Sequence, residues 1–97
     1  MVEEKLRELF RNAVEKSVKP TPLISPRWLK SYPNGRPADF RYIGAPRVAK
    51  AAGWPVEKVV REILRNIDLG GLGLEAKVRT NGWIDLNFRQ DKRSGKV

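Results

Sequence analysis

Apolar residues recur every three to four positions at Val2, Leu6, Leu9, Phe10, Ala13 and Val14, with Glu and Lys between them. That is the period at which a helix gathers its apolar side chains on one face, so the pattern predicts an amphipathic helix over residues 2–17. The period ends at Pro20. Five of the seven prolines fall between Pro20 and Pro37, and each fixes its own φ and removes a backbone donor. Residues 20–38 therefore read as a long proline-rich excursion. Within it Leu23-Ile24 suits a brief edge strand, and Trp28, Leu29 and Tyr32 supply apolar groups with which the loop can pack on itself.

Helical spacing returns at Ala45, Val48, Ala49 and Ala52, with Pro46 placed for a first turn and Gly53 for the residue just past the end. This predicts a short helix over 45–52. Pro55 opens a stronger one. Val56, Val59, Val60, Ile63, Leu64 and Ile67 fall on one stripe, while Glu57, Lys58, Arg61, Glu62 and Arg65 face outward. Asp68 to Gly73 holds three glycines and reads as a flexible break. Beyond it Leu74, Ala76 and Val78 alternate with Glu75, Lys77 and Arg79, the period of a half-buried strand. Asn81-Gly82 offers the two positive-φ residues of a tight hairpin turn. Ile84, Leu86 and Phe88 would then continue the buried face, leaving Trp83, Asp85 and Asn87 on the other.

These elements make one α+β domain over residues 1–90, a small antiparallel sheet packed with about three helices, followed by a basic, frayed tail over 91–97. At 97 residues the chain has room for one modest core. No apolar run approaches the ~20 residues of a membrane span. Met1-Val2-Glu3-Glu4-Lys5 lacks the apolar segment of a secretory leader, so a cytoplasmic protein is the expectation.

Composition narrows the chemistry. The chain has neither cysteine nor histidine, which removes disulfides, thiolate nucleophiles, the usual zinc ligands and the commonest general base. Asp39, Glu57, Glu62, Asp68, Glu75 and Asp85 show no spacing that implies a shared carboxylate site. Gly70-Gly71-Leu72-Gly73 follows a helix instead of leading from a strand into one, so it lacks the context of a phosphate-cradling loop. No enzyme activity and no cofactor are expected of the chain on its own. Lys and Arg number 20 against 11 Asp and Glu, a formal +9. Such an excess attracts phosphates through Coulomb forces and counterion release, and it also serves solubility.

The run Asp39-Phe40-Arg41-Tyr42-Ile43-Gly44-Ala45-Pro46-Arg47-Val48-Ala49-Lys50-Ala51-Ala52-Gly53 resembles part of the arginyl-tRNA synthetase N-terminal domain, where a Gly-Asp-Tyr start leads into an alanine-rich helix. The helix after Pro55 resembles that family's Asn-Pro-Arg-Glu helix. Val78 to Leu86 is similar to its Val-Ala-Gly-Pro-Gly-Phe-Ile-Asn-Phe hairpin. Order and spacing agree over about residues 39–88. The resemblance implies a non-catalytic appended domain that contacts the elbow of tRNA at its D-loop, with a synthetase catalytic domain as a partner in the full-length protein or a stand-alone relative in its absence. The synthetase's His-x-Gly-His type motif has no place in a chain without histidine.

Carried over by position, Trp83 stands where the family has an aromatic and Asp85 where it has an Asn. Phe88 and Gln90 stand where some members set an aromatic and a glutamine against a D-loop base. Lys77, Arg79, Arg89 and Lys92 are the basic residues placed to hold the RNA backbone. Asp85 differs from an amide in being acceptor-only and anionic. The residues themselves leave two uses open for each aromatic: Trp83 as a base platform or a cross-strand packing residue, Phe88 as a platform or a core residue. A second reading is a winged helix-turn-helix that binds DNA, with Val48 to Pro55 as the turn region, the helix after Pro55 as the recognition helix and the hairpin as the wing.

Overall fold

The computed structural model describes residues 2–36 and 38–89. Helix α1 spans Val2–Ser17, α2 Ala45–Ala52 and α3 Val56–Arg65, while strands β1 (Leu29–Ser31), β2 (Phe40–Tyr42), β3 (Leu74–Val78) and β4 (Ile84–Phe88) form one antiparallel sheet in the order β1-β2-β4-β3. The α+β architecture with three helices is thus as expected. The helices lie where their periodicity placed them, except that α3 ends at Arg65, short of Ile67. Gly53, at φ 71°, closes α2, and Trp54 N–H returns to the Ala49 carbonyl at 3.0 Å, because glycine tolerates the left-handed turn that frees the chain to start α3 three residues later, at Val56.

All three helices cover the same face of the sheet. Leu29, Phe40, Tyr42, Leu74, Ile84 and Leu86 supply the sheet side of the core; Leu6, Phe10, Ala13 and Val14 of α1, Val48 and Ala49 of α2, and Val59, Val60 and Ile63 of α3 supply the helix side. Phe10 stacks on Tyr42 with ring centroids 4.1 Å apart and planes within 13°. The ends of α1 and α3 are tied together, since Asn66 Nδ2 donates to Ser17 Oγ at 3.0 Å, while the Ser17 hydroxyl donates to the Ala13 carbonyl at 2.6 Å within α1. Among the described residues no helix is long and apolar enough to cross a membrane.

Four local expectations are corrected. Leu23-Ile24 is not a strand: Leu23 is 94% exposed, and the strands of this region are β1 and β2, each only three residues long and too short to show a period. The segment from Asp68 is organised, not a loose break. Leu69 is buried, Gly70–Leu72 forms a single 3-10 turn, and Gly71 N–H donates to Asp68 Oδ1 at 3.2 Å. The hairpin closes with a three-residue loop instead of a two-residue one. Arg79 N–H meets the Trp83 carbonyl at 2.8 Å, Gly82 N–H meets the Arg79 carbonyl at 3.0 Å, and Gly82 alone in the turn has positive φ, at 93°. A Cβ on Gly82 would lie 2.3 Å from Val56 Cγ1, so this glycine also lets the hairpin tip rest on the start of α3.

The buried face of the hairpin is also smaller than its alternation predicts. Leu74, Ile84 and Leu86 are buried, but Ala76 is exposed, Val78 is 47% and Phe88 39% exposed. All three have the inward parity, yet Ala76 and Val78 stand on the edge strand and Phe88 at a strand end, where neighbours are fewer. Parity sets the face on which a side chain stands; it does not supply a partner there.

Candidate nucleic-acid interface

Among the described residues the other face of the sheet carries no helix, and the strand register fixes its contents. Lys30, Arg41, Asp85 and Lys77 are consecutive cross-strand partners, one from each strand. Trp83 and Arg79 stand one step along at the hairpin end, since side chains two apart share a face. At the opposite end of the same face come Tyr32, Asp39, Asn87 and Glu75, joined by the Tyr32 N–H to Asp39 carbonyl bond and by the Asn87–Glu75 pairing. The face is therefore divided into a basic, aromatic half and a polar, acidic half.

Its centre is an ion pair. Arg41 Nε donates to Asp85 Oδ1 at 2.6 Å and Arg41 Nη2 to Oδ2 at 3.1 Å, a bidentate fit of planar fork to carboxylate. Arg79 Nη1 approaches the same Oδ2 at 3.6 Å, and the Arg41 guanidinium carbon lies 5.1 Å from the centroid of the Trp83 ring. Hydrogen bonding to Asp85 raises the Arg41 pKa against the lowering effect of burial. The side chains of Arg41 and Asp85 are 12% and 4% exposed. Asp85 stands on the predicted outer face, but two arginines cover its carboxylate. Its charge is spent inside the protein, where it no longer repels a phosphate.

Of the expected binding residues, the structure brings Lys77, Arg79, Trp83 and Asp85 together in the basic half. It does not bring Phe88 or Arg89 to them. Phe88 meets Phe40 edge-on at 6.1 Å and borders a recess of about 510 Å³ at the acidic end, shared with Asn34, Asp39, Glu75 and Asn87. A reciprocal bracket holds that recess: Asp39 N–H donates to Asn87 Oδ1 at 3.2 Å, and Phe88 N–H to Asp39 Oδ2 at 2.9 Å. Arg89 follows directly, its N–H bonded to the Gly73 carbonyl. Gln90 and Lys92 lie outside the described residues.

The sequence reading missed Lys30 and Arg41. The alternation Phe40-Arg41-Tyr42 does carry the strand signal, apolar on both sides of a charge, but three residues are too few to weigh it against the prolines nearby. The helix-turn-helix region offers less. Lys58 Nζ lies 4.4 Å from the Trp54 ring centroid, and the exposed start of α3 also carries Glu57. Compared with known protein families and with curated proteins, the chain matches no family model and no individual protein.

Proposed function

We propose that this protein is a non-catalytic binder of structured RNA, with tRNA as its target, and that the helix-free face of the sheet is the binding surface. The observation that carries the reading is the basic row of Lys30, Arg41 and Lys77 with Arg79 and Trp83 beside it on an uncovered sheet. Unpaired RNA bases stack on aromatic rings and on guanidinium planes, while ammonium groups follow the backbone. The exposed edge of Phe88, with Asn87 next to it, is a second place where a splayed base finds a ring and an amide. This use of the hairpin accords with the resemblance to the synthetase domain, and Asp85 enters it as the anchor of Arg41 instead of a reader of bases.

A DNA-binding reading has one observation of its own: α2, the Gly53-Trp54-Pro55 turn and α3 form a helix-turn-helix, and the β3–β4 hairpin rests on the start of α3 through Gly82 and Val56. The outward residues of α3 are Glu57, Lys58, Arg61 and Arg65. An acidic residue in the first turn opposes insertion between phosphates, so the sheet face is the better surface. Fluorescence-anisotropy titrations of tRNA and of duplex DNA of equal length, at matched salt, decide between them. The tRNA should bind more tightly, and tighter binding of the duplex would overturn the proposal.

A further inference from the structure

Among the described residues strand β3 is an edge of the sheet whose one strand partner is β4, and Glu75 through Val78 are exposed. The ladder shows which backbone groups it leaves free. Arg79 pairs with Trp83 at one end and Gly73 with Arg89 at the other. Hydrogen-bonded positions alternate in an antiparallel pair, so Glu75 and Lys77 turn their backbone groups toward β4, and Ala76 and Val78 turn theirs outward. Leu74 has already used its N–H on the Leu69 carbonyl, at 3.1 Å. The other edge, β1, is three residues long and lies between Pro26 and Pro33. β3 contains no proline, and among the described residues neither Glu75 nor Lys77 takes part in an ion pair. It is an open template for another strand.

We propose that β3 pairs antiparallel with β3 of a second copy of this chain, about a two-fold axis at Ala76. Only registers that oppose even-numbered residues use the outward N–H and C=O groups. Centring on Ala76 sets Ala76 against its equivalent, Leu74 against Val78, and Glu75 against Lys77 twice, giving two opposite-charge pairs. Centring on residue 75 would set acid against acid, and centring on residue 77 would set lysine against lysine; like charges directly opposite are unfavourable. The strand is thus complementary to itself in one register.

An axis perpendicular to the sheet keeps the helices of both copies on the same side. There a groove of about 490 Å³ runs between α3 and the hairpin, lined in part by Val56, Val60, Leu64 and the exposed Val78. Two-fold pairing sets Val78 of each copy beside Leu74 of the other, so the Val78 edge of each groove gains a partner surface, one at either end of the new seam. The product is an isologous dimer with an eight-stranded sheet, whose helix-free face is doubled. The pairing does not depend on RNA binding.

Sedimentation velocity on the whole chain over a range of protein concentrations tests this, with circular dichroism confirming that each variant is folded. The wild type should show a reversible monomer–dimer equilibrium. Glu75→Lys alone and Lys77→Glu alone should each weaken the dimer by about tenfold, as two attractive cross-strand pairs become repulsive. The double variant Glu75→Lys/Lys77→Glu should restore it, because both opposite-charge pairs return with their signs exchanged. A wild type that is monomeric throughout, open-ended oligomers in place of a dimer, or a double variant as weak as the singles would overturn the proposal.

Discussion

The two faces of this sheet are built from the same strands on different physical terms. On the helix side, Leu29, Tyr42, Ile84 and Leu86 meet three helices, and stability comes from apolar surface removed from water at roughly 25 cal/mol per Å². On the open side Arg41 and Asp85, one strand apart, form a buried pair supported by Trp83 and Arg79. The first face is tolerant in kind, since any well-shaped apolar residue contributes. The second is not, because removing one partner leaves a partly buried charge without its counter-charge.

The sharpest way to break that contrast is at Asp85. Asp85→Ala should cost about 1–3 kcal/mol by leaving the partly buried Arg41 without its hydrogen-bonded partner, measured by urea denaturation. Replacing both residues together, Arg41→Met with Asp85→Leu, should cost far less, although it removes more polar contacts. If the double replacement is as damaging as the single one, the open face is held by packing instead of charge.

A functional difference comes next in size. Trp83→Ala should weaken tRNA binding by roughly tenfold, in keeping with about 1–3 kcal/mol for a stacked base, whereas Arg65→Ala on the helix side should change it little. Equal effects in anisotropy titrations would mean that the hairpin is only scaffold.

Tyr42 sharpens the comparison from the apolar side. It is 2% exposed, and its hydroxyl has no hydrogen-bond partner among the described residues. Burial pushes its pKa up, which favours the neutral phenol in the fold. The unfolded chain ionises first, near the ordinary tyrosine value of about 10. The fold therefore keeps the contribution of Tyr42 below that pH and loses it progressively above. Tyr42→Phe should raise stability at neutral pH by about 1 kcal/mol, by removing an unsatisfied group, and should soften the alkaline decline. Thermal denaturation at neutral pH and above pH ~10 reads both effects. The smallest expected change is at the Glu62–Arg65 pair on α3, where the Arg65 side chain is 73% exposed: Arg65→Ala should cost no more than about 0.5 kcal/mol, well below Asp85→Ala.

The residues whose meaning was legible in advance are those that repeat. The apolar stripes of α1, α2 and α3 and the alternation along β4 recur often enough to declare a period, and a period is enough to assign a face. β1 and β2 contribute three residues each, so their place in the sheet could not be read locally. The acidity of Asp85 likewise looked like a defect in a binding surface until Arg41, 44 positions away in sequence, was found against it.

Local chemistry therefore determined the three helices, the outward parity of Trp83 and Asp85 and the basic excess, because helix and strand periods and net charge are properties of short segments or of simple sums. Tertiary structure decided the four-stranded order, the exposure of Val78 and Phe88 and the burial of the Arg41–Asp85 pair. Each of these depends on which distant segment lies alongside, and burial is a property of neighbours in space rather than in sequence.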